Sequence, residues 1–503
     1  MRVDTIAIPT ARRPTALARC IRSYAGNALQ YGRRPAFLVC DDSTGQQDGV
    51  MCRDVVRQAA SACNVRLHYI GMTEKVSLLR TLLKARAVPP DVVRFAFFDV
   101  EQTGASTCGA NRNVLLFHTH GQAILMVDDD TICQTHRPLE HTEEIVVWNG
   151  DATGVRDPSE WWPLGSAGRE DHVCRAEPLD CLGEQERWLG SGAALTDPPP
   201  RGVLEPARSW RAAITVNSMV GDCGWGSPTS YLLLRGPSLE RLTASDEVYE
   251  DHTTSRAVMR GVRSPTICPQ PDFMSTFIGL DNTIPLPPLM PVCRGADHVF
   301  AALVGKLVPG AVSVHLPVVL AHRPERPRRF WRGEITRSAS AIDLCTLLCT
   351  LIDTAPDPGG ASVPGRFVEL GKWLADLAAR PAPEFAEYAA SVVRARLERR
   401  IEAFEVVLDS LGQRSPKFRR DVTAYLERVR AACGRADVYV PIDLCCRQMA
   451  ENTADLVQRL VLRYGELITY WPTLLELARG ASVGRAREIG PPRHRPAAAT
   501  VVH

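Results

Sequence analysis

The amino-acid sequence predicts an α/β fold, a mostly parallel sheet covered by helices and followed by an α-helical domain. Three observations carry this expectation. Residues 3–130 alternate short apolar, strand-like runs with segments of helical periodicity, the rhythm of parallel strands joined by crossover helices. Two of the runs stop in carboxylates: Ala36–Cys40 ends in Asp41-Asp42, and Ile124-Leu125-Met126-Val127 ends in Asp128-Asp129-Asp130. In open α/β sheets, ligands bind beyond the carboxyl ends of the strands. Past a Pro/Arg-rich segment at 324–329 the apolar residues recur near the helical period, as a helical domain requires.

Taken in order, Val3–Ile8 reads as a strand ending at Pro9. A helix then begins near Pro14, a residue suited to the first helical turn, with Leu17, Cys20, Ile21 and Tyr24 on one face. Ala36–Cys40 is a second strand, Gly49–Ala62 a helix, Val65–Ile70 a strand and Glu74–Ala87 a helix. Val93–Phe98 reads as a strand, and Gly109–His118 as a helix leading into the acidic strand. From about 150 to 290 the chain is irregular and rich in Pro, Gly and Trp, with a loop at Pro198-Pro199-Pro200 and tight turns at Gly221–Gly226. Long irregular stretches inside compact domains are commonly functional. Asp297–Leu307 is predicted helical and Val312–Leu320 a strand before His322. Helices at Glu384–Leu411 (stopped by Gly412), Phe418–Cys433 and Asp443–Tyr464 complete the pattern. The expected organisation is residues 1–150 and 151–330 as two halves of one α/β domain, 331–489 as the helical domain and 490–503 as a disordered tail.

At 503 residues the chain exceeds one simple core. A net charge of +2 gives no argument for nucleic acid or an anionic membrane as partner. No apolar run is long enough for a transmembrane segment. The N-terminus enters a strand-like run without a signal-peptide core, so a cytoplasmic location is expected. The sixteen cysteines are scattered through apolar segments, as suits small hydrophobes in a reducing compartment. Cys433, Cys445 and Cys446 lack the paired spacing of a zinc site and read as structural.

Like charges crowded at a strand end are costly unless a cation sits among them. A divalent metal holding a diphosphate meets that need at Asp128–Asp130, because hard oxygen ligands and phosphates complete its shell. The plainer alternative is a solvated acidic turn. Asp41 or Asp42 can accept the imide N–H of a pyrimidine, or simply form an Asx-turn. Arg112 can offer its guanidinium fork to a diphosphate, or make a surface ion pair. Asp297 can act as a general base or cap the helix it opens. His322 can be a metal ligand or structural. His315 is the lesser candidate because it alternates into a strand face. In Gly221-Asp222-Cys223-Gly224-Trp225-Gly226, Asp222 can bind hydroxyls and Trp225 can stack on a sugar, or both can belong to the core.

The motif Ile8-Pro9-Thr10-Ala11-Arg12-Arg13-Pro14, then Leu17–Ser23 and Val39-Cys40-Asp41-Asp42-Ser43, resembles the N-terminal half of GT-A-type glycosyltransferases, the family-2-like inverting group, whose sheet is Rossmann-like. Gly109-Ala110-Asn111-Arg112-Asn113 through Asp128-Asp129-Asp130 resembles the arginine-bearing helix and DxD signature of that group. The resemblance spans roughly residues 3–330 and is weakest in the middle. It implies metal-dependent transfer of a hexosyl group, with inversion, from a UDP- or GDP-linked sugar. Pro9, Thr10, Arg12, Asp41, Asp42, Arg112, Asp128 and Asp129 would bind the donor, an acidic residue at 41–42 would read uracil, and Asp128 would hold the ribose. Asp130, with Asp128 and His322, would bind Mn²⁺ or Mg²⁺. Asp297 in Arg294-Gly295-Ala296-Asp297-His298 would be the general base, with His298 as runner-up. Ala296 stands where the group usually has Glu. The acceptor (glycan, protein, lipid or small molecule) is unidentified, with Asp222 and Trp225 as its expected pocket. A nucleotidyltransferase is the alternative enzyme, although Thr10-Ala11-Arg12-Arg13-Pro14 lacks the glycines of its phosphate loop. A GT-fold interaction protein without catalysis is the other. The C-terminal helices could serve acceptor, partner or a second protomer.

Overall fold

The computed structural model describes residues 1–150, 156–192, 210–337, 342–359, 362–410, 415–445, 453–480 and 487–489. Pro198–Pro200, Cys446 and the tail from residue 490 lie outside them. The chain opens with β1 (Val3–Thr10), α1 (Pro14–Gln30), β2 (Ala36–Asp41), α2 (Gln46–Cys63), β3 (Leu67–Ile70), α3 (Met72–Ala85), α4 (Pro90–Phe97), α5 (Cys108–His118) and β4 (Ala123–Val127). Ile6, Ile8, Phe37, Val39, Leu125 and Val127 are buried on one face of this sheet, among the apolar residues of α1 and α2. Ala7, Leu38, Cys40, Ile124 and Met126 are buried on the other. Burial on both faces is why these strands read as continuous apolar runs.

The four strands are parallel and lie in the order β3-β2-β1-β4. The chain builds outward from β1 through β2 to β3, then returns to the far side of β1. Strand order therefore reverses between β1 and β4, and a crevice forms beyond the carboxyl ends at such a reversal.

After β4 come β5 (Thr131–Pro138) and β6 (Val146–Val147), and the region expected to be irregular, from about 150 to 290, carries β7 (Glu160–Pro163), β8 (Cys174–Ala176), α6 (Cys181–Glu186), the long β9 (Arg211–Asp222), α7 (Gly236–Leu242), α8 (Asp246–Thr254), β10 (Ala257–Gly261), β11 (Thr266–Cys268) and β12 (Phe277–Asp281). After them come α9 (Ala296–Leu307) and β13 (Ala311–His322). β12 inserts antiparallel between β4 and β9, and β13 runs parallel to β9. The sheet is therefore mixed, with mostly parallel core strands, and includes the edge strand β14 (Arg487–Ile489).

Val93–Phe98, expected as a strand, belongs instead to the helix α4. Pro90 occupies its first turn, and Val92, Val93, Phe95, Ala96 and Phe97 are all buried. A run this short, apolar but for Arg94, is too brief for its period to separate a buried strand from a helix.

The C-terminal helices are α10 (Glu334–Arg337), α11 (Leu344–Thr354), α12 (Val363–Ala378), α13 (Ala382–Ser410), α14 (Pro416–Cys433), α15 (Ile442–Cys445) and α16 (Thr453–Gly480). The last continues past the expected stop at Tyr464 and carries Pro472 inside it. α12 and α16 touch through glycines: a Cβ on Gly371 would lie 2.6 Å from the Gly465 carbonyl oxygen. The core runs unbroken from one sheet face into these helices. The Trp471 indole N–H donates to the Leu286 carbonyl at 2.7 Å and the Tyr464 hydroxyl to the Pro288 carbonyl at 2.9 Å. These contacts hold the chain that leads into α9.

Candidate functional site

Thr10 ends β1 opposite Asp41 in β2. Arg12 then turns into the left-handed region (φ 58°) and its N–H donates to Ser43 Oγ at 2.8 Å. A non-glycine residue there costs roughly 1–2 kcal/mol. The turn leaves Arg12 exposed and brings Arg13 over the acidic triplet. Arg13 Nη1 lies 2.8 Å from Asp129 Oδ1 and 2.9 Å from Asp130 Oδ2. Thr10 Oγ1 donates to Asp129 Oδ2 at 2.6 Å. Burial pushes the Asp129 carboxyl up to about 7 even against the pull of Arg13.

Arg112, on α5, is 8% exposed, and its Nη2 donates to Asp128 Oδ1 at 2.5 Å. Burial opposes the guanidinium charge, but Asp128 outweighs it and the pKa rises. Arg112 Nε has no partner among the described residues. α5 sits close against the segment before α9: a Cβ on Gly109 would fall 1.8 Å from the Met290 carbonyl oxygen, and Ala110 N–H donates to the Pro291 carbonyl at 3.0 Å. This approach brings Asp297 into electrostatic range of Arg112.

Asp297 is not the helix cap; Gly295 takes that position with φ 84°, which leaves Asp297 within the first turn. Its Oδ2 accepts the Ser275 N–H at 3.1 Å, while the adjoining Thr276 carbonyl accepts the Asp128 N–H at 3.1 Å. Two carboxylates from distant parts of the sequence are thus tied to neighbouring residues entering β12.

His322 ends β13 between Gly221 of β9 and Thr131 of β5. A Cβ on Gly221 (φ 117°) would lie 2.3 Å from the His322 carbonyl oxygen, so glycine is needed there. His322 Nδ1 is 2.6 Å from the Asp222 carbonyl oxygen and Nε2 is 3.2 Å from Asp130 Oδ1. Nδ1–H donating to that carbonyl fixes the ring and turns Nε2 toward the carboxylate. Burial opposes charge on both groups, yet their pairing lowers the pKa of Asp130, with help from Arg13, and raises that of His322. With Nδ1–H committed to the carbonyl, a charged His322 carries its second proton on Nε2, facing Asp130.

Of the three residues expected to hold a metal, Asp128 faces Arg112, while Asp130 and His322 face each other. Among the described residues no group of three or more His, Cys, Asp or Glu is arranged to hold a metal. The Asp222 carboxylate is likewise engaged. Arg256 grips it at 2.8 and 2.9 Å, and Arg328 at 3.1 and 2.8 Å. Asp222 acts on the site through its carbonyl. Trp225 packs on Trp161 with ring centroids 4.0 Å apart.

Asp41 and Asp42 diverge at the end of β2. Asp41, 1% exposed, accepts from Ser43 N–H, Ser43 Oγ and the Tyr69 hydroxyl at 3.0, 2.6 and 2.6 Å. It builds the turn. Asp42 pairs with Lys75 Nζ at 2.5 Å and also accepts from Thr107.

No profile of a known protein family matches this chain, and no curated protein matches it.

Three residues of the site went unrecognised in the sequence. Arg13 neighbours Arg12, and only the left-handed turn decides which of them faces the carboxylates. Asn111 Nδ2 donates to the carbonyls of Thr10 and Cys40 at 3.1 and 2.8 Å, bridging the ends of β1 and β2. Lys75 lies under Phe98, 5.1 Å from the ring centroid; its position in an amphipathic helix looks like an ordinary surface lysine. Arg13 and Arg112 thus lie against the acidic triplet that also meets His322. Such a set suits an anionic ligand bridged by a divalent ion.

Proposed function

We propose that this chain is a metal-dependent inverting glycosyltransferase of the GT-A kind, moving a sugar from a UDP- or GDP-linked donor to an unidentified acceptor. The observation that carries the reading is His322, oriented by the Asp222 carbonyl, with Nε2 beside Asp130 at the reversal of strand order. Asp130 and His322 would hold Mn²⁺ or Mg²⁺. Two protein ligands suffice, because such ions keep waters and take substrate phosphate oxygens. When bound there, the ion would supply positive charge against the departing nucleoside diphosphate. Arg13, half exposed over the triplet, would donate to diphosphate oxygens, with Arg112 adding its charge from behind Asp128. Asp128 keeps 29% of its side chain exposed and can accept from a ribose hydroxyl. Asp42 retains lone pairs beyond those used by Lys75 and Thr107, enough to accept one imide N–H. Asp297 Oδ2 is steadied by Ser275 N–H, and the carboxylate takes the acceptor proton as the hydroxyl attacks the anomeric carbon.

The test is a panel of nucleotide sugars incubated with the full chain and Mn²⁺. Release of the nucleoside diphosphate from a UDP- or GDP-sugar supports the reading, and no turnover of any member counts against it. A second reading, an interaction protein on the same sheet, draws on the two-residue metal set and on Ala296. It predicts nucleotide binding that is absent or indifferent to metal.

A further inference from the structure

The net charge of +2 is an average that hides a local concentration. After His322 the chain runs Arg323-Pro324-Glu325-Arg326-Pro327-Arg328-Arg329-Phe330-Trp331-Arg332. This segment is pinned at several points. Arg323 N–H donates to the Asp130 carbonyl at 2.8 Å, and Glu325 accepts the Ala16 N–H at 2.6 Å. Arg328 turns inward to Asp222. Phe330 is buried with the Arg256 guanidinium 4.6 Å from its ring centroid, and its N–H donates to the Thr254 carbonyl at 3.1 Å.

Between these anchors the other side chains face out. Arg326 and Arg329 are exposed and have no ion pair among the described residues. Trp331 is 53% exposed. The Arg332 side chain is 83% exposed and, among the described residues, pairs with Glu250 at 3.7 Å. Glu250 also holds Lys417 at 2.8 Å, which carries the rim onto the start of α14, where the Arg420 side chain is 69% exposed. Five cations and an indole therefore share one rim beginning at the candidate metal pair. Because Phe330 and Arg328 lock the backbone, the outward pose of Trp331 is built in.

We propose that this rim docks the protein onto an anionic lipid surface. The Trp331 indole, apolar with one polar edge, seats at headgroup level, and Arg326, Arg329 and Arg332 meet the phosphates. The arginines alone would suit any polyanion; an indole held outward among them matches the headgroup level of a lipid surface, where Trp is enriched, and the test below separates lipid from a soluble polyanion. No described helix is long and apolar enough to cross a membrane, so the attachment is peripheral and reversible. It would set the cleft beside the surface, within reach of acceptors held there. The docking does not depend on the transferase reading.

The test is co-sedimentation of the full chain with phosphatidylcholine vesicles, with and without phosphatidylglycerol. Binding only to the anionic vesicles, weakened by salt, is expected. Each cation near such a surface is worth roughly five-fold in affinity, so Arg329→Ala/Arg332→Ala should weaken binding roughly thirty-fold. Trp331→Ala should weaken it too and remove a component of tryptophan quenching by brominated lipid. All these side chains are exposed, so the variants should fold like the parent. No binding to anionic vesicles, equal binding to neutral ones, or variants that bind like the parent would each overturn the proposal. So would binding to heparin without binding to vesicles, which would make the rim a polyanion site.

Discussion

The buried pair Asp42–Lys75 lies just past the end of β2, and its loss has a calculable consequence. The Lys75 and Asp42 side chains are 1% and 9% exposed, with Nζ 2.5 Å from Oδ1. Lys75→Met keeps most of the stem but strands a carboxylate whose remaining side-chain partner is Thr107. Breaking a buried pair from one side costs about 3–5 kcal/mol. The Thr107 hydrogen bond places Lys75→Met near the lower end, at about 3 kcal/mol. Asp42→Asn strands the ammonium instead, partly relieved by the Phe98 ring 5.1 Å away, and should cost about 2 kcal/mol. The double variant buries no charge, so it should lie within about 1 kcal/mol of the parent. The expected coupling is therefore about 4 kcal/mol, obtained from urea midpoints at a common slope. Additive single costs, with coupling below about 0.5 kcal/mol, would refute the argument, because the pair would then be solvated and worth little.

Three further outcomes follow from the geometry. Gly109→Ala must displace the Met290 carbonyl, since its Cβ would start 1.8 Å away; a loss of about 2–3 kcal/mol in urea unfolding is expected, together with weaker nucleotide binding as Arg112 shifts, and an undisturbed variant would mean that α5 does not pack there. Asp297→Asn should retain nucleotide affinity while transfer falls by roughly 10²–10⁴-fold; a fully active variant reassigns the base. His315 is 2% exposed and burial pushes its pKa down to about 4. The unfolded chain takes a proton there near pH 6.5 and the folded chain does not. Stability should accordingly rise with pH between about 4 and 6.5, by up to roughly 3 kcal/mol. His315→Gln should flatten that slope in unfolding curves taken across the window, and an unchanged slope would exclude His315 as its source.

The parallel half of the sheet was legible because each strand is buried on both faces, so its apolar run and acidic end stand out in one dimension. The two acidic clusters, Arg112 and His322 were readable for the same reason: they sit at strand ends or on the helix leading into one. What the sequence concealed depends on contacts between remote segments. Val93–Phe98 is apolar but for the exposed Arg94, and its helix α4 packs against α16, more than three hundred residues on. The strands β7, β8, β10, β11 and β12 are short and depend on remote partners: β10 and β12 pair with β9, β11 with β13, β7 with β10 and β8 with β5. Asp222 has the character of a free carboxylate until Arg256 and Arg328 close on it. Lys75 has no sequence mark of burial, because its partner Asp42 arrives from another strand end.

The central claim is that Asp130 and His322 hold a divalent ion that recruits a nucleoside diphosphate. Calorimetric titration of UDP and GDP, with and without Mn²⁺, into the parent and Asp130→Ala tests it directly. Mn²⁺ should tighten binding of at least one nucleotide to the parent by about ten-fold or more and should leave the variant unmoved. Affinity that ignores Mn²⁺ in the parent, or a metal response that survives in Asp130→Ala, would contradict the account.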